Sequence, residues 1–193
     1  MQVVVYLEER FLRDCNGNHY SVVCGDDYWA RYLSVYSSIL VVARAELVST
    51  SGLPDRHQAI RDMRISFASL PAYKGPLQFL VVFLPLLFSV LKCSRIDGVH
   101  ILRLPGAIGS MALPFFLLFR RSFGVELVGD PFSVFANGGV GGRLSSVYQC
   151  VFTWLTRKAC SNAAAVAYVT KQVMQKAYPV SHGAFTTHYS SIQ

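Results

Sequence analysis

An acid stands where an apolar run breaks. Gly124 to Phe135 reads GVELVGDPFSVF, so Asp130 follows a strand-like stretch and precedes a proline. A carboxylate so placed can accept a hydrogen bond from a sugar hydroxyl or serve as a general base. Asp before Pro also starts turns and caps helices. Upstream, RLPGAIGS places Arg103 ahead of a loop with Gly106 and Gly109 that opens a helix. Such a loop turns backbone N–H groups and a positive helix end toward an anion, with Ser110 as a further hydroxyl donor, or it is an ordinary helix start whose glycines serve close packing. Arg103 suits a phosphate or carboxylate clamp, or an ion pair with Asp130. Glu8 and Arg10 follow the first apolar run, VVVYL, and read as the residues just past another strand end.

Other chemistries lack their residues. His19, His57, His100, His182 and His188 are scattered, with no i, i+4 pair and no paired cysteines beside them, so no metal site is expected. His100, among apolar neighbours, reads as a core histidine. There is no G-x-S-x-G, no D-x-D and no phosphate-binding G-x-x-x-x-G-K-[ST]. The glycines of NGGVGG (Gly138, Gly139, Gly141, Gly142) miss the dinucleotide spacing and read as a flexible loop or mobile lid. The five cysteines form no C-x-x-C pair and read as reduced thiols of a cytoplasmic protein.

The net charge of +7 suggests an anionic partner, and its distribution is uneven. No Asp or Glu follows Asp130, whereas Arg143, Arg157, Lys158, Lys171 and Lys176 do, which reads as either a solvated face or a phosphate-facing one. Nucleic acid is not expected, since no recognition motif accompanies the charge. Leu77 to Leu91, LQFLVVFLPLLFSVL, is apolar on all sides and kinked at Pro85. As a helix it reaches roughly 22 Å, short of a hydrocarbon core of ~30 Å, which suits a core helix with one edge on a membrane surface.

Elements that would position these groups alternate along the chain. QVVVYL reads as a first strand, Asn16-Gly17 as a hairpin turn, and DDYWARYLSVYSS as a helix capped by Asp26 or Asp27. Strands ILVVARA and RISFASL follow, then the apolar helix, the strand 97–104, the helix after PGAIGS, and the strand Val125 to Val128. A helix from Leu144 to Cys160, the strand AAAVAYV, the helix KQVMQKAY and a strand in AFTTHY complete the chain. The order predicts an α/β fold: a Rossmann-like, doubly wound parallel sheet with helices on both faces, plus a small β-hairpin near the N-terminus. Ligands of such sheets bind beyond the carboxyl ends of the strands, so Asp130, Arg103 with Gly106, and Glu8 with Arg10 are expected on one rim.

YLEERFLRDCNGNHYS, RLPGAIGS, GVELVGDPFSVF, AAAVAYVTKQVMQKAYP and GAFTTHYSS, in this order, resemble the N-terminal half of family-4 glycosyltransferases of the GT-B fold, over nearly the whole chain. The resemblance implies a single acceptor-binding domain spanning residues 1–193, which works against a second domain that holds a nucleotide-sugar. It further implies transfer with retention, no bound metal and no cofactor, with the nucleotide-sugar as co-substrate and a saccharide or lipid-linked acceptor. Asp130 matches a catalytic acid after the strand lining the cleft, and Arg103 with Gly106 an acceptor-side loop; Arg10 and Ser110 join the acceptor side. Gly129, Tyr189 and Ser190 match positions that face the donor or lead into the second domain. No E-x(7)-E donor pattern is present and the chain stops at Gln193, so it is expected to be truncated and inactive alone, or to pair with a separate donor-binding chain. The other reading is a non-catalytic peripheral membrane or scaffold protein of the same fold.

Overall fold

The computed structural model describes residues 1–49, 54, 56–134 and 145–189. The glycine loop read as a lid, and Ser190, lie outside the described residues. The chain divides into two compact units, Met1–Val99 and His100–Gln193.

In the first unit β1 (Gln2–Arg13) pairs in parallel with β3 (Ser38–Leu47), and β3 with β5 (Ile65–Pro71). Val3, Val4, Val5 and Tyr6 are all fully buried, as expected of a strand in a parallel sheet covered on both faces. A short antiparallel strand, β2 (His19–Ser21), returns along the end of β1 and in turn pairs with β4 (Gln58–Ala59). The predicted hairpin is therefore present, with Gly17 at φ 89° in its turn. Asp14 holds that turn: its carboxylate accepts from the Asn16 and Asn18 amides at 2.9 and 2.8 Å and from the Tyr20 hydroxyl at 3.0 Å.

Two expectations for this unit change. The first strand does not stop before Glu8; it runs to Arg13 through a register shift between Tyr6 and Arg10, so Arg10 lies inside β1 rather than past its end. The charges are tolerated because they are neutralised in place, as described below. Helix α1 (Asp26–Leu33) starts from Gly25, with no side-chain cap, while the Asp26 carboxylate accepts instead from the Arg61 amide at 3.1 Å. Trp29 anchors α1, fully buried and donating its indole N–H to the Cys24 carbonyl at 3.0 Å.

Helix α2 (Gly75–Ser94) is longer than its apolar core suggested, with Pro85 inside it. At 20 residues it reaches ~30 Å, and by length and composition it could cross a membrane. Leu86 and Val90 are fully buried on one side, whereas Leu77, Leu80, Val81, Leu84 and Phe88 are 60 to 82% exposed. The i, i+3, i+4, i+7, i+11 spacing of those five makes one open apolar stripe.

In the second unit each strand is followed by helix before the next strand. The unit contains β6 (Val99–Leu104, save its first residue), α3 (Ala107–Leu118), β7 (Gly124–Leu127), α4 (Pro131–Val134), α5 (Ser145–Asn162), β8 (Ala165–Tyr168), α6 (Val173–Ala177) and β9 (Phe185–His188). All four strands are parallel neighbours in chain order. His100, Leu102, Leu104, Val125, Leu127, Val166 and Tyr168 alternate onto one buried side, and α3 contributes Ile108, Leu113 and Phe116 to the same core. His100 is buried with its ring 4.8 Å from that of Phe116. The architecture is thus α/β and Rossmann-like, with mostly parallel strands.

Gly109 makes the α3–β6 contact possible. A Cβ built there would lie 2.9 Å from the Arg103 carbonyl oxygen and 3.1 Å from Leu104 Cδ2. Close helix-to-strand approach is therefore the reason for this glycine.

Candidate functional site

The register of the second unit levels the strand ends. Leu104, Leu127, Tyr168 and His188 are partners across β6, β7, β8 and β9. The ladder runs one step further, with the Val128 amide on the Leu104 carbonyl at 2.8 Å, Val169 on Leu127 at 3.0 Å and Tyr189 on Tyr168 at 2.9 Å. The residues that follow these strands, Pro105 and Gly106, Gly129 and Asp130, and Tyr189, consequently share one rim.

Each takes a definite place. The Leu104–Pro105 peptide is cis, and Gly106 follows in extended conformation as the N-cap of α3, without a side-chain cap. Ser110 is buried one turn in; its amide donates to the Gly106 carbonyl at 3.0 Å, and its hydroxyl has no hydrogen-bond partner among the described residues. Gly129 is half-buried, and a Cβ there would meet Pro105 and Val134 at an ordinary 3.7 Å. Tyr189 is half-buried beyond β9.

Asp130 is the most heavily used group on the rim. Oδ1 accepts from the Phe132 amide at 3.0 Å and from the Tyr178 hydroxyl at 2.5 Å, and Oδ2 from the Ser133 hydroxyl at 2.9 Å. The Val134 amide closes on the Asp130 carbonyl at 2.9 Å, so Asp130 caps the short helix α4 with Pro131 in its first position. Burial pushes the carboxyl up, but the hydrogen bonds from Tyr178, Ser133 and Phe132 together hold it below its ordinary value of 3.8. It stays ionised at neutral pH and is a weak base. The Tyr178 phenol is pushed up to about 12 by burial and by this carboxylate. Its own carbonyl accepts from the Tyr168 hydroxyl at 2.6 Å, which ties the rim to the core of β8.

The two arginines are each paired with a glutamate. Arg103 is the residue before the last of β6, and its Nε is 3.5 Å from Glu126, its direct partner on β7. The pleat turns both away from the buried His100–Leu102–Leu104 side. Its ion pair is therefore with Glu126 rather than with Asp130. Arg10, in the first unit, lies 3.7 Å from Glu46, which also takes Lys74 at 2.8 Å. In that unit Arg44 contacts the Glu8 carboxylate at 3.1 Å and the Glu8 carbonyl at 2.8 Å. Its guanidinium lies 4.3 Å over the Tyr73 ring, and the Tyr73 hydroxyl donates to Glu8 at 2.6 Å. Charges that read as a strand end are paired within this unit, although Arg44 Nε has no hydrogen-bond partner among the described residues.

Sequence reading missed Tyr178, Ser133 and Glu126. Ser133 had a local signal, since DPFS is a capping pattern; Tyr178 had none, because it reaches Asp130 from 48 positions away. Among the described residues no group of three His, Cys, Asp or Glu could hold a metal ion.

No family model matches the chain. Protein CapJ of Staphylococcus aureus is 25% identical over 173 residues, covering 87% of this chain and 42% of CapJ. The crystal structure of a UGT transferase from Siraitia grosvenorii in complex with UDP is similar at a TM-score of 0.45 and 12% identity, over 98% of this chain and 50% of that one. The chain thus spans half or less of the length of either protein.

Proposed function

We propose that this chain is the acceptor-binding part of a metal-independent, retaining GT-B glycosyltransferase that uses a nucleotide-sugar, in bacterial surface polysaccharide or glycolipid synthesis at the inner face of the cytoplasmic membrane. The observation that carries the reading is the level rim of β6 to β9, which sets a glycine turn at a helix start beside an ionised, pre-positioned aspartate. The motif order that resembles family-4 enzymes supports it.

In this reading the acceptor lies against the Gly106 turn and Asp130. The carboxylate accepts a hydrogen bond from an acceptor hydroxyl, while Tyr178 and Ser133 fix its rotamer. A carboxylate held below its ordinary value orients that hydroxyl better than it deprotonates it. The acceptor oxygen forms the new bond to the anomeric carbon, and the bond from that carbon to the diphosphate breaks. The acceptor proton passes to the leaving diphosphate. Gly129 and Tyr189 face the donor, whose nucleotide is gripped mainly by a donor-binding domain outside these residues. Arg103, Arg10 and Ser110 contribute further contacts to the acceptor, each arginine from its pair with a glutamate.

A second reading, a non-catalytic membrane-surface protein, is favoured by the open stripe on α2, with Lys92 in the last turn of the helix. Five large apolar side chains on one face exceed the scattered exposure of an ordinary surface. One experiment separates the two. Liposome flotation is combined with a labelled-sugar transfer assay, using a protein that carries both this chain and a donor-binding half. Flotation with transfer is the expected result, and Leu80→Asp with Leu84→Asp should abolish flotation. Flotation without transfer from any nucleotide-sugar leaves only the second reading.

A further inference from the structure

An open groove, of about 500 Å³, lies on the flank of the second unit between α5 and the end of α6. Trp154, Arg157, Lys158 and Ser161 line it from one stripe of α5, at i, i+3, i+4 and i+7, and Lys176 faces them from α6. The arrangement is unusual in three respects.

The first is charge. Arg157, Lys158 and Lys176 are exposed, and among the described residues none of them forms an ion pair. The chain offers no acid near them in sequence, since no Asp or Glu follows Asp130. The second is that helix-end electrostatics does not account for the set. Lys176 sits in the last turn of α6, where a cation offsets the helix dipole, but the last turn of α5 holds no basic residue, so Arg157 and Lys158 lie outside that explanation. The third is the indole: Trp154 is 62% exposed, although Trp29, the other tryptophan, is fully buried. An indole beside three cations offers a flat face for the carbon skeleton of a ligand whose anionic part the cations hold.

We propose that this groove binds a phosphate-bearing anion, its phosphate between Arg157, Lys158 and Lys176 and its uncharged part against Trp154. The groove differs from the rim described above. Ala177 and Pro179 line it, while Tyr178 between them is buried and points to Asp130. The proposal is independent of sugar transfer, because a protein of either proposed function would carry the same groove.

Soluble and lipid-borne phosphate are separated by two arms of one experiment. Inorganic pyrophosphate is titrated against the chain in low salt, followed by tryptophan fluorescence. Vesicles of phosphatidylcholine, with and without phosphatidylglycerol, are titrated in parallel. Trp154→Phe identifies the part of the signal that comes from the groove. A saturable change with pyrophosphate assigns a soluble ligand; a change only with phosphatidylglycerol vesicles assigns a headgroup. In either arm Arg157→Ala with Lys158→Ala should weaken binding about tenfold or more, and raised salt should weaken it too. Lys171→Ala, which removes an exposed cation outside the groove, should change affinity less than about twofold. No saturable response in either arm would overturn the proposal, as would an equal loss on Lys171→Ala, since binding would then follow net charge alone. Circular dichroism of each variant confirms that a loss is not unfolding.

Discussion

Replacing Asp130 by Ala is expected to destabilise the second unit by about 2 kcal/mol, seen as a lower urea midpoint. The carboxylate satisfies the Phe132 amide, the Ser133 hydroxyl and the Tyr178 hydroxyl at once. The buried Tyr178 hydroxyl carries most of the cost, because an unpaired polar group out of water loses its full solvation. Asp130→Asn retains a capping oxygen but not the charge, and should cost about half as much. The acid dependence has a definite sign. Folded Asp130 binds its proton more weakly than the ordinary 3.8, so its contribution is complete above that value and fades as pH falls through the lower folded value. Wild type and Asp130→Asn should therefore differ most near neutrality and converge in strong acid. A gap that stays constant down to the acid transition would mean that the charge contributes nothing.

Gly109→Val should cost more, about 3 kcal/mol, and loosen α3 from β6. The added Cβ meets a backbone carbonyl, at Arg103, which cannot swing aside as a side-chain end can. The helix must retreat, and Ile108, Leu113 and Phe116, all buried against the strands, retreat with it. Gly109→Ala is a finer test, since alanine recovers about 1 kcal/mol of helix propensity against the same close contact. Gly129→Ala is the control on the same rim. There a methyl finds only ordinary contacts at 3.7 Å, and the change should stay within about 0.5 kcal/mol. Equal urea midpoints for Gly109→Val and Gly129→Ala would refute the close-approach argument.

Local signals in the chain carried the strand–helix alternation, the Asn16-Gly17 hairpin and the strand-end position of Asp130. Each depends on residues within one turn or one strand. What escaped depends on partners fixed by register or by distant chain. Arg103 faces Glu126 only because β6 and β7 pair at those two positions. Tyr178 reaches Asp130 only after the chain has passed through α5 and β8. The continuation of β1 through Glu8 and Arg10 was hidden for a related reason: a run of charges reads as surface until Arg44 of β3 and Tyr73 after β5 are known to hold Glu8, and Glu46 to hold Arg10. Asp26 looked like a helix cap, yet its carboxylate serves a distant amide, and Gly25 starts the helix instead.

The claim on which the functional account depends is that the β6–β9 rim faces the acceptor. Separate Michaelis constants for acceptor and nucleotide-sugar, measured on a protein that carries both this chain and a donor-binding half, test it most directly. For Asp130→Ala and for Gly106→Val the account predicts an acceptor KM raised about tenfold or more and a nucleotide-sugar KM within about twofold of wild type. A rise confined to the nucleotide-sugar KM, or wild-type constants for both variants, would contradict it.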